Sequence, residues 1–393
     1  MKTRKKQPQP DSETIIPILI GAWRRLHKLS GPPDVLQTRE FRSVVAAVKA
    51  LEEQSLEGVS LIGQDYFNNP ELLGAYLLYQ WVVHYQQALS IIGELPRTPK
   101  RVLDVCSGPA PIAFAALRHG AQEVIATDQN NAALQIGAEI CGRYGLPLTV
   151  RKWNCFKQPF PAEGKFDLIT IGYGLEELFP TTRKDWQKEQ HLFLRKLLDR
   201  LTPDGHLMII ESSFGESNRR VLQLRDLLVS EQVPVQAPCV WRGECPALKT
   251  ANSPCYAQRE FEKPYLIKQI QRAGNINLSS LKMSYIIFCN PSAGWPDTGD
   301  KKLYRVISPP FDSFGGKRFY LCGTDGKKYV ESRLTDHPPE SRAFEHLRRG
   351  ELISFDNVLE KQNAIDIIEG SSVHVAAACG KPLPICTDFT SED

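Results

Sequence analysis

RVLDVCSGPAPIAFAALRHGAQEVIATD, residues 101–128, reads as strand, turn, helix, strand. RVLDV is a short apolar run. CSGPAP is a turn of small residues. IAFAALRHG has helical spacing and ends at Gly120, the residue that most readily closes a helix. EVIATD is a second apolar run, ending in Asp128. The alternation continues outward. NAALQIGAEICGRYGL reads as helix, LTVRKWN as a third strand and FDLITIGYGLEEL as a fourth strand running into a loop. WQKEQHLFLRKLLDRL is a helix, TPDG a turn and HLMIIES a fifth strand. Strands alternating with helices imply a parallel sheet with right-handed crossovers. The fold class is therefore α/β, a doubly wound sheet over residues 96–295.

In such sheets ligands bind at the carboxyl ends of the strands. Asp104 ends the first strand and Asp128 the second, about 20 residues past the turn, where a carboxylate can bond a ribose diol. Asn154, at the end of the third strand, is a candidate for an adenine edge. A dinucleotide site would want G-x-G-x-x-G, but Cys106 stands at its first glycine. The D-x-x-x-G turn followed by TD is more similar to a class I S-adenosylmethionine (SAM) methyltransferase. That resemblance implies SAM contacts from Asp104, Cys106, Gly108, Asp128 and Asn154. The methyltransferase turn usually reads G-x-G-x-G. Here those positions are Cys106, Gly108 and Ala110, and two of them carry a Cβ that would crowd a cofactor. Tyr173, at the end of the fourth strand, is placed to stack on a flipped base or to pack below the site.

The flanks have a different character. Residues 1–95 read as an N-terminal helical domain, broken by GPP at 31–33. Residues 296–393 read as short strands between Gly, Pro and Asp turns, a small β domain of barrel, OB-like type. The 393 residues carry a net charge of only +3, unevenly placed. Residues 1–50 hold ten Lys/Arg against four Asp/Glu, and residues 301–350 eleven against six. Basic ends fit a polyanion such as RNA or a solvated surface. The N-terminus MKTRKKQPQPDSETIIP has no apolar run of a secretory signal. The uncharged run 72–93 carries Gln80, His84, Gln86 and Gln87, too polar to face lipid. We expect a cytoplasmic monomer with no membrane association.

Ten cysteines in a reducing compartment are not a disulfide framework. Three of them, Cys239, Cys245 and Cys255, stand at C-x5-C-x9-C in a proline-rich insert, residues 237–261. Zinc takes four thiolates but favours two close C-x2–4-C pairs. An iron–sulfur cluster also takes four thiolates over a wider frame, and the spacing favours it. From spacing, the fourth ligand is either Cys322 or Cys289.

The pattern APC…CP…C-aromatic-x-Q-R, then SY on a strand, then C-x-x-DG resembles a known family over roughly residues 70–335. These are the methyltransferase-like assembly factors of the mitochondrial small ribosomal subunit and their bacterial relatives. The resemblance implies a [4Fe–4S] cluster on Cys239, Cys245, Cys255 and Cys322, the last because it occupies the C-x-x-DG position. YRVISPP matches the family's R-x-x-x-x-P strand. It also implies small-subunit rRNA and ribosomal proteins as partners. Lys317, Arg318, Lys327, Lys328, Arg348 and Arg349 are candidate phosphate contacts. Two functions follow. One is an assembly or translation factor in which the cluster is structural. The other is an active SAM-dependent rRNA methyltransferase.

Overall fold

The computed structural model describes residues 11–56, 66–250, 253–313 and 316–383. The basic stretch 1–10 and Cys386 lie outside the described residues. Helices α1 (Asp11–Leu26) and α2 (Thr38–Leu56) precede a rod made of α3 (Pro70–Ala75), a π-helical stretch Tyr76–Gln80 and α4 (Trp81–Ile92). Asn69 starts the rod by accepting hydrogen bonds from the N–H groups of Glu71 and Leu72.

The central unit follows as β1 (Arg101–Val105), α5 (Pro111–Arg118), β2 (Glu123–Asp128), α6 (Asn131–Arg143), β3 (Thr149–Lys152) and β4 (Phe166–Gly172). It continues with α7 (Leu175–Leu178), α8 (Trp186–Leu198), β5 (Leu201–Glu211), α9 (Gly215–Ser230), β6 (Val235–Ala237), β7 (Ala257–Glu260), α10 (Tyr265–Gly274) and β8 (Ser280–Cys289). The sheet order is β3-β2-β1-β4-β5-β8-β6, with β7 also on β8. Strands β1 to β5 are parallel, and β8 is antiparallel to β5 and β6. This is the class I methyltransferase arrangement.

One face of the sheet shares a single apolar core with the N-terminal helices. Trp81 and Tyr85 of α4 meet Phe114 of α5 with ring centroids 5.2 and 5.1 Å apart, and Trp81 Nε1 donates to the Pro109 carbonyl at 2.9 Å. Those helices also carry Leu19, Val48 and Leu77 into the same core as Met208 and Ile287. The opposite face packs Leu103, Ile169 and Ile209 against Phe179, Leu194 and Leu228.

Three element boundaries differ from the sequence reading. TPDG is not a turn before β5, because the strand already starts at Leu201 and bulges past Phe166 and Leu168. Strand β3 stops at Lys152, so Asn154 lies beyond it. REFEKPYLIKQIQRAG, whose spacing after the insert reads as one helix, is not helical throughout. Residues 257–260 alternate in burial and pair with β8, and the helix starts only after Pro264.

The C-terminal strands are β9 (Tyr304–Val306), β10 (Phe311–Ser313), β11 (Gly316–Gly323), β12 (Gly326–Ser332), β13 (Leu352–Asp356), β14 (Leu359–Glu360), β15 (Ala364–Ile367) and β16 (Ser372–Ala377). They form a second sheet, β14-β15-β12-β11-β9-β13-β16. β12 runs parallel to β15, while β13 pairs with both β9 and β16. Because β15 leads directly into β16, the sheet curls into a half-barrel around Phe319, Leu321, Val330, Phe344 and Ile353.

Candidate functional site

Two cavities gather the residues singled out by sequence. The first lies at the carboxyl ends of β1, β2 and β4. Its loop keeps the backbone that the glycine motif requires. Cys106, Gly108 and Ala110 have φ of 56°, 51° and 62°. Glycine reaches this left-handed region freely, whereas Cys and Ala spend about 1–2 kcal/mol each to stay there. Local bonds hold the turn. The Ser107 N–H donates to the Thr127 carbonyl at 2.9 Å, and the Ala110 N–H to the Ser107 carbonyl at 2.8 Å.

Both acidic residues are engaged by the chain itself. Asp104 is fully buried and accepts from the hydroxyls of Ser107 and Thr170 and from the Ala113 N–H. Burial raises its carboxyl to about 6 against those bonds. Asp128 accepts from the Gly108 N–H at 2.9 Å and the Asn130 N–H at 2.8 Å. Cys106, Gly108 and Asp128 line the cavity, while Asp104 and Asn154 are not among its lining residues. The Asn154 side chain instead accepts from the Phe156 N–H.

Aromatic rings fill the rest of this cleft. A Cβ placed on Gly108 would lie 2.8 Å from the Phe67 ring. Phe67 meets Tyr76 edge-on at 5.3 Å, and the Tyr76 hydroxyl and His84 Nδ1 share a 3.1 Å hydrogen bond. His84 stacks on Tyr173 with centroids 3.7 Å apart, and the Tyr173 hydroxyl donates to Gln87 at 2.6 Å. Burial lowers His84 to about 3, so the imidazole is neutral. The remaining cavity is about 40 Å³. A water needs roughly 10–15 Å³ of such space, so there is room for a few waters. The Phe67 ring over Gly108 narrows the approach to the turn.

The second cavity, about 60 Å³, is bounded by the insert, α9, β8 and the half-barrel. Cys239, Cys245, Cys255 and Cys322 all line it, with Pro238, Trp241, Tyr256 and Val306. Cys289 is buried in β8 opposite His206 and is not among the lining residues. Burial, then the neighbouring thiols, pushes Cys245 up to about 11 and Cys255 to about 12. Among the described residues, no three His, Cys, Asp or Glu side chains are placed to hold a metal ion. The four thiols thus surround a chamber without converging on one point.

Three buried arginines also line the chamber, and one of them, Arg259, is paired with Glu94. Arg225 of α9 is 1% exposed and bonds the carbonyls of Trp241 and Gly243 and, at 2.7 Å, Asp226. Its Nε has no hydrogen-bond partner among the described residues. Asp226 in turn accepts from the Cys245 N–H at 2.9 Å. Arg305 of β9 stands opposite Cys322 in register, is 5% exposed, and donates to the carbonyls of Pro238 at 3.0 Å and Gly350 at 2.8 Å. It has no carboxylate partner among the described residues. These bonds tie the first part of the insert, residues 238–245, to the body of the protein.

Residues 74–348, more than half of the 393-residue chain, match the family described as mitochondrial small ribosomal subunit Rsm22. The chain belongs to the Rsm22 family. The matched span of this Rsm22 family member includes both cavities. Curated relatives align over the methyltransferase fold. The ubiquinone/menaquinone biosynthesis C-methyltransferase of Nitrosospira multiformis is 33% identical over 146 residues, 37% of this chain and 55% of that protein. Its counterpart in Bordetella parapertussis is 27% identical over 44% of this chain and 61% of that protein. The chain therefore spans between about half and three fifths of these two relatives. Among solved structures, the N-methyltransferase NodS of Bradyrhizobium japonicum with bound S-adenosyl-L-homocysteine is 13% identical. It covers 53% of this chain and 85% of that one at a TM-score of 0.35. The ribosomal protein L11 methylase of Lactobacillus delbrueckii is 18% identical over 39% and 70% at a TM-score of 0.30.

Several residues of this Rsm22 family site were not singled out from sequence. Phe67 and His84 sit more than twenty residues before the glycine turn, and helical periodicity alone makes them core. Arg225 reads as one charge among many on a helix. Only its lack of exposure sets it apart. Of the basic residues considered for phosphate, Lys328 is paired with Asp325 and Glu360, Arg318 with Glu331 and Arg348 with Glu260. Arg349 lies over the Tyr256 ring at 4.1 Å. Lys317 and Lys327 remain exposed.

Proposed function

We propose that this chain serves the assembly or translation function of the small ribosomal subunit by binding its rRNA, and that Cys239, Cys245, Cys255 and Cys322 hold a structural [4Fe–4S] cluster. The observation that carries the cluster is the company the thiols keep. Four thiols and three buried guanidiniums line one mainly apolar chamber, and Glu94 is paired with one of these, Arg259. An uncompensated buried charge costs several kcal/mol. Among the described residues Arg305 has no carboxylate, and Asp226 alone serves Arg225. A cluster with four thiolates is a dianion when oxidised, which answers that charge. The donor set and the room, several times that of one water, fit a polynuclear group better than a single ion. When bound, the cluster supplies a rigid cross-link. The chain's own residues orient the insert and exclude water from the chamber.

The rRNA role is supported by the family membership, the basic residues 301–350 and the half-barrel. The place of action is the cytoplasm or the mitochondrial matrix. A direct test is anaerobic purification with iron, sulfide and zinc assays, followed by co-sedimentation with small subunits. About four irons and four sulfides per chain and stable association are expected. One zinc without sulfide removes the cluster. Absence from the small-subunit fraction removes the rRNA role.

SAM-dependent methyl transfer is the second reading, favoured by the left-handed turn at Cys106, Gly108 and Ala110 and by Asp128 beside it. The Phe67 ring lies over Gly108, so a cofactor approaching the turn there would displace it.

A further inference from the structure

The outer face of the half-barrel carries side chains that neither cavity uses fully. On β11, Phe319 and Leu321 are fully buried inside, so Arg318, Tyr320 and Cys322 point outward. Their cross-strand neighbours on β12 are Glu331, Tyr329 and Lys327. The face is thus a ladder of three rungs. Arg318 pairs with Glu331 at 2.6 Å, Tyr320 stands beside Tyr329, and Cys322 stands beside Lys327. Strand β10 adds Phe311, opposite Arg318, whose ring meets Tyr320 edge-on with centroids 5.6 Å apart.

Cations flank these rings. Lys327 Nζ lies 5.3 Å from the Tyr320 centroid, and the Arg318 guanidinium 4.2 Å from that of Tyr329. The two ends of the ladder differ in cover. Cys322 is turned into the thiol chamber, whereas Phe311 is 45% and Tyr320 37% exposed. Two adjacent exposed rings on neighbouring strands leave apolar area in water that burial would stabilise.

The topology says what lies there. Strands β9, β11 and β12 form a meander, and β12 is parallel to β15. A short helical turn, Arg342–His346, precedes β13, which returns to β9. In barrels of this plan the outer face of the second and third strands, with the loop before them, carries oligonucleotides. Here those strands are β11 and β12, and β10 lies in that loop.

We infer that Phe311 and Tyr320 form a stacking platform for unpaired RNA bases, with Lys317, Arg318 and Lys327 beside the phosphates. This inference rests on the rRNA reading and specifies the form of RNA and where it lies. A ring can accept the flat face of a base only when that base is unstacked, and a duplex offers phosphates and groove edges instead. The excess of eleven Lys/Arg over six Asp/Glu in residues 301–350 favours a nucleic acid over an acidic-poor protein surface.

The test uses the full chain with its metal content intact. Fluorescence anisotropy measures binding of a labelled single-stranded uridine oligomer and of a fully paired RNA hairpin stem. The Phe311→Ala/Tyr320→Ala double variant is expected to weaken single-strand binding by about tenfold to a hundredfold and to leave the duplex unchanged. Tyr320→Phe keeps the ring and should bind as the parent does. Lys327→Ala should flatten the salt dependence by about one unit of slope. Melting temperature and iron content verify that each variant is folded. A folded double variant that binds the single strand like the parent overturns the platform alone. So does a parent that binds the duplex equally well. A double variant that keeps single-strand binding yet leaves the small subunit assigns the face to a protein and also overturns it. A parent that binds neither RNA nor small subunits removes the rRNA reading itself, and the platform with it.

Discussion

The cofactor cleft and the thiol chamber are built in opposite ways. The cleft keeps the backbone of its motif and has filled the space. Cys106 and Ala110 hold left-handed φ, Asp104 and Asp128 bond the turn itself, and Phe67 rests on Gly108. The chamber keeps the space and surrounds it with groups that want a partner. Thiols line it, the Arg225 Nε has no acceptor, and Arg305 has no carboxylate among the described residues. A satisfied site can persist for stability alone, whereas an unsatisfied one implies a ligand. The contrast teaches that a fold's inherited site and its working site need not coincide.

The sharpest break comes from the chamber's own ligands. Cys322→Ser should lower iron and sulfide from about four each per chain to near zero, while Cys289→Ser should keep them. Equal loss in both variants would mean that general destabilisation, not ligation, is being read. Arg305→Met comes next. In the metal-loaded protein it should cost roughly 3–5 kcal/mol, because the anionic group loses its buried counter-charge. In metal-free protein the same change should cost less, roughly 1–3 kcal/mol, because only the bonds to the Pro238 and Gly350 carbonyls are lost. Denaturant melts of both forms under anaerobic conditions read the difference. Equal effects in the two forms would detach Arg305 from the ligand.

The cleft gives a smaller effect. Phe67→Ala removes the ring over Gly108 and should tighten S-adenosylhomocysteine binding by about tenfold or more, since a closed cleft lowers apparent affinity by its open fraction. Titration calorimetry on parent and variant checks it. If the parent already binds tightly and the variant does not differ, Phe67 is no plug and methyl transfer regains its footing.

The two sites were unequally legible in the sequence. The β1 turn announced itself because strand, small-residue turn and helix are local signals, and the parallel sheet followed from the alternation of strands with helices. The insert was visible as clustered cysteines. Its partner Cys322 needed the resemblance, because spacing does not separate a strand-end cysteine in β11 from Cys289 in β8. The plugging of the cleft was not legible. Phe67 and His84 reach Gly108 and Tyr173 across the chain, and a one-dimensional period says nothing about which cavity a core ring enters. Arg225 and Arg305 stayed hidden for the same reason. Their meaning lies in burial beside the thiols, Arg225 with Asp226 alone and Arg305 with no carboxylate among the described residues, which only tertiary structure reveals.

The smallest predicted effect probes what lies behind the cleft. Glu211 ends β5, is 4% exposed and accepts from the Leu175 N–H at 2.9 Å. Burial, then the nearby Glu176 charge, raises its carboxyl to about 8, against the Leu175 bond. The folded protein therefore holds a proton there that the unfolded chain releases near the ordinary glutamate value, about 4.3. Between those two values the native state binds more protons than the unfolded state, so stability must fall as pH rises. The contribution is fully present below the unfolded value and lost as pH passes through about 8. Glu211→Gln fixes the neutral form. It should flatten the pH dependence of Tm across that window and melt higher than the parent above it, with little difference in acid. A parent whose Tm is already flat from mildly acidic to alkaline pH would show that Glu211 ionises inside the fold without cost. A countercharge such as Arg220, whose Nε and Nη1 have no hydrogen-bond partner, would then be neutralising it.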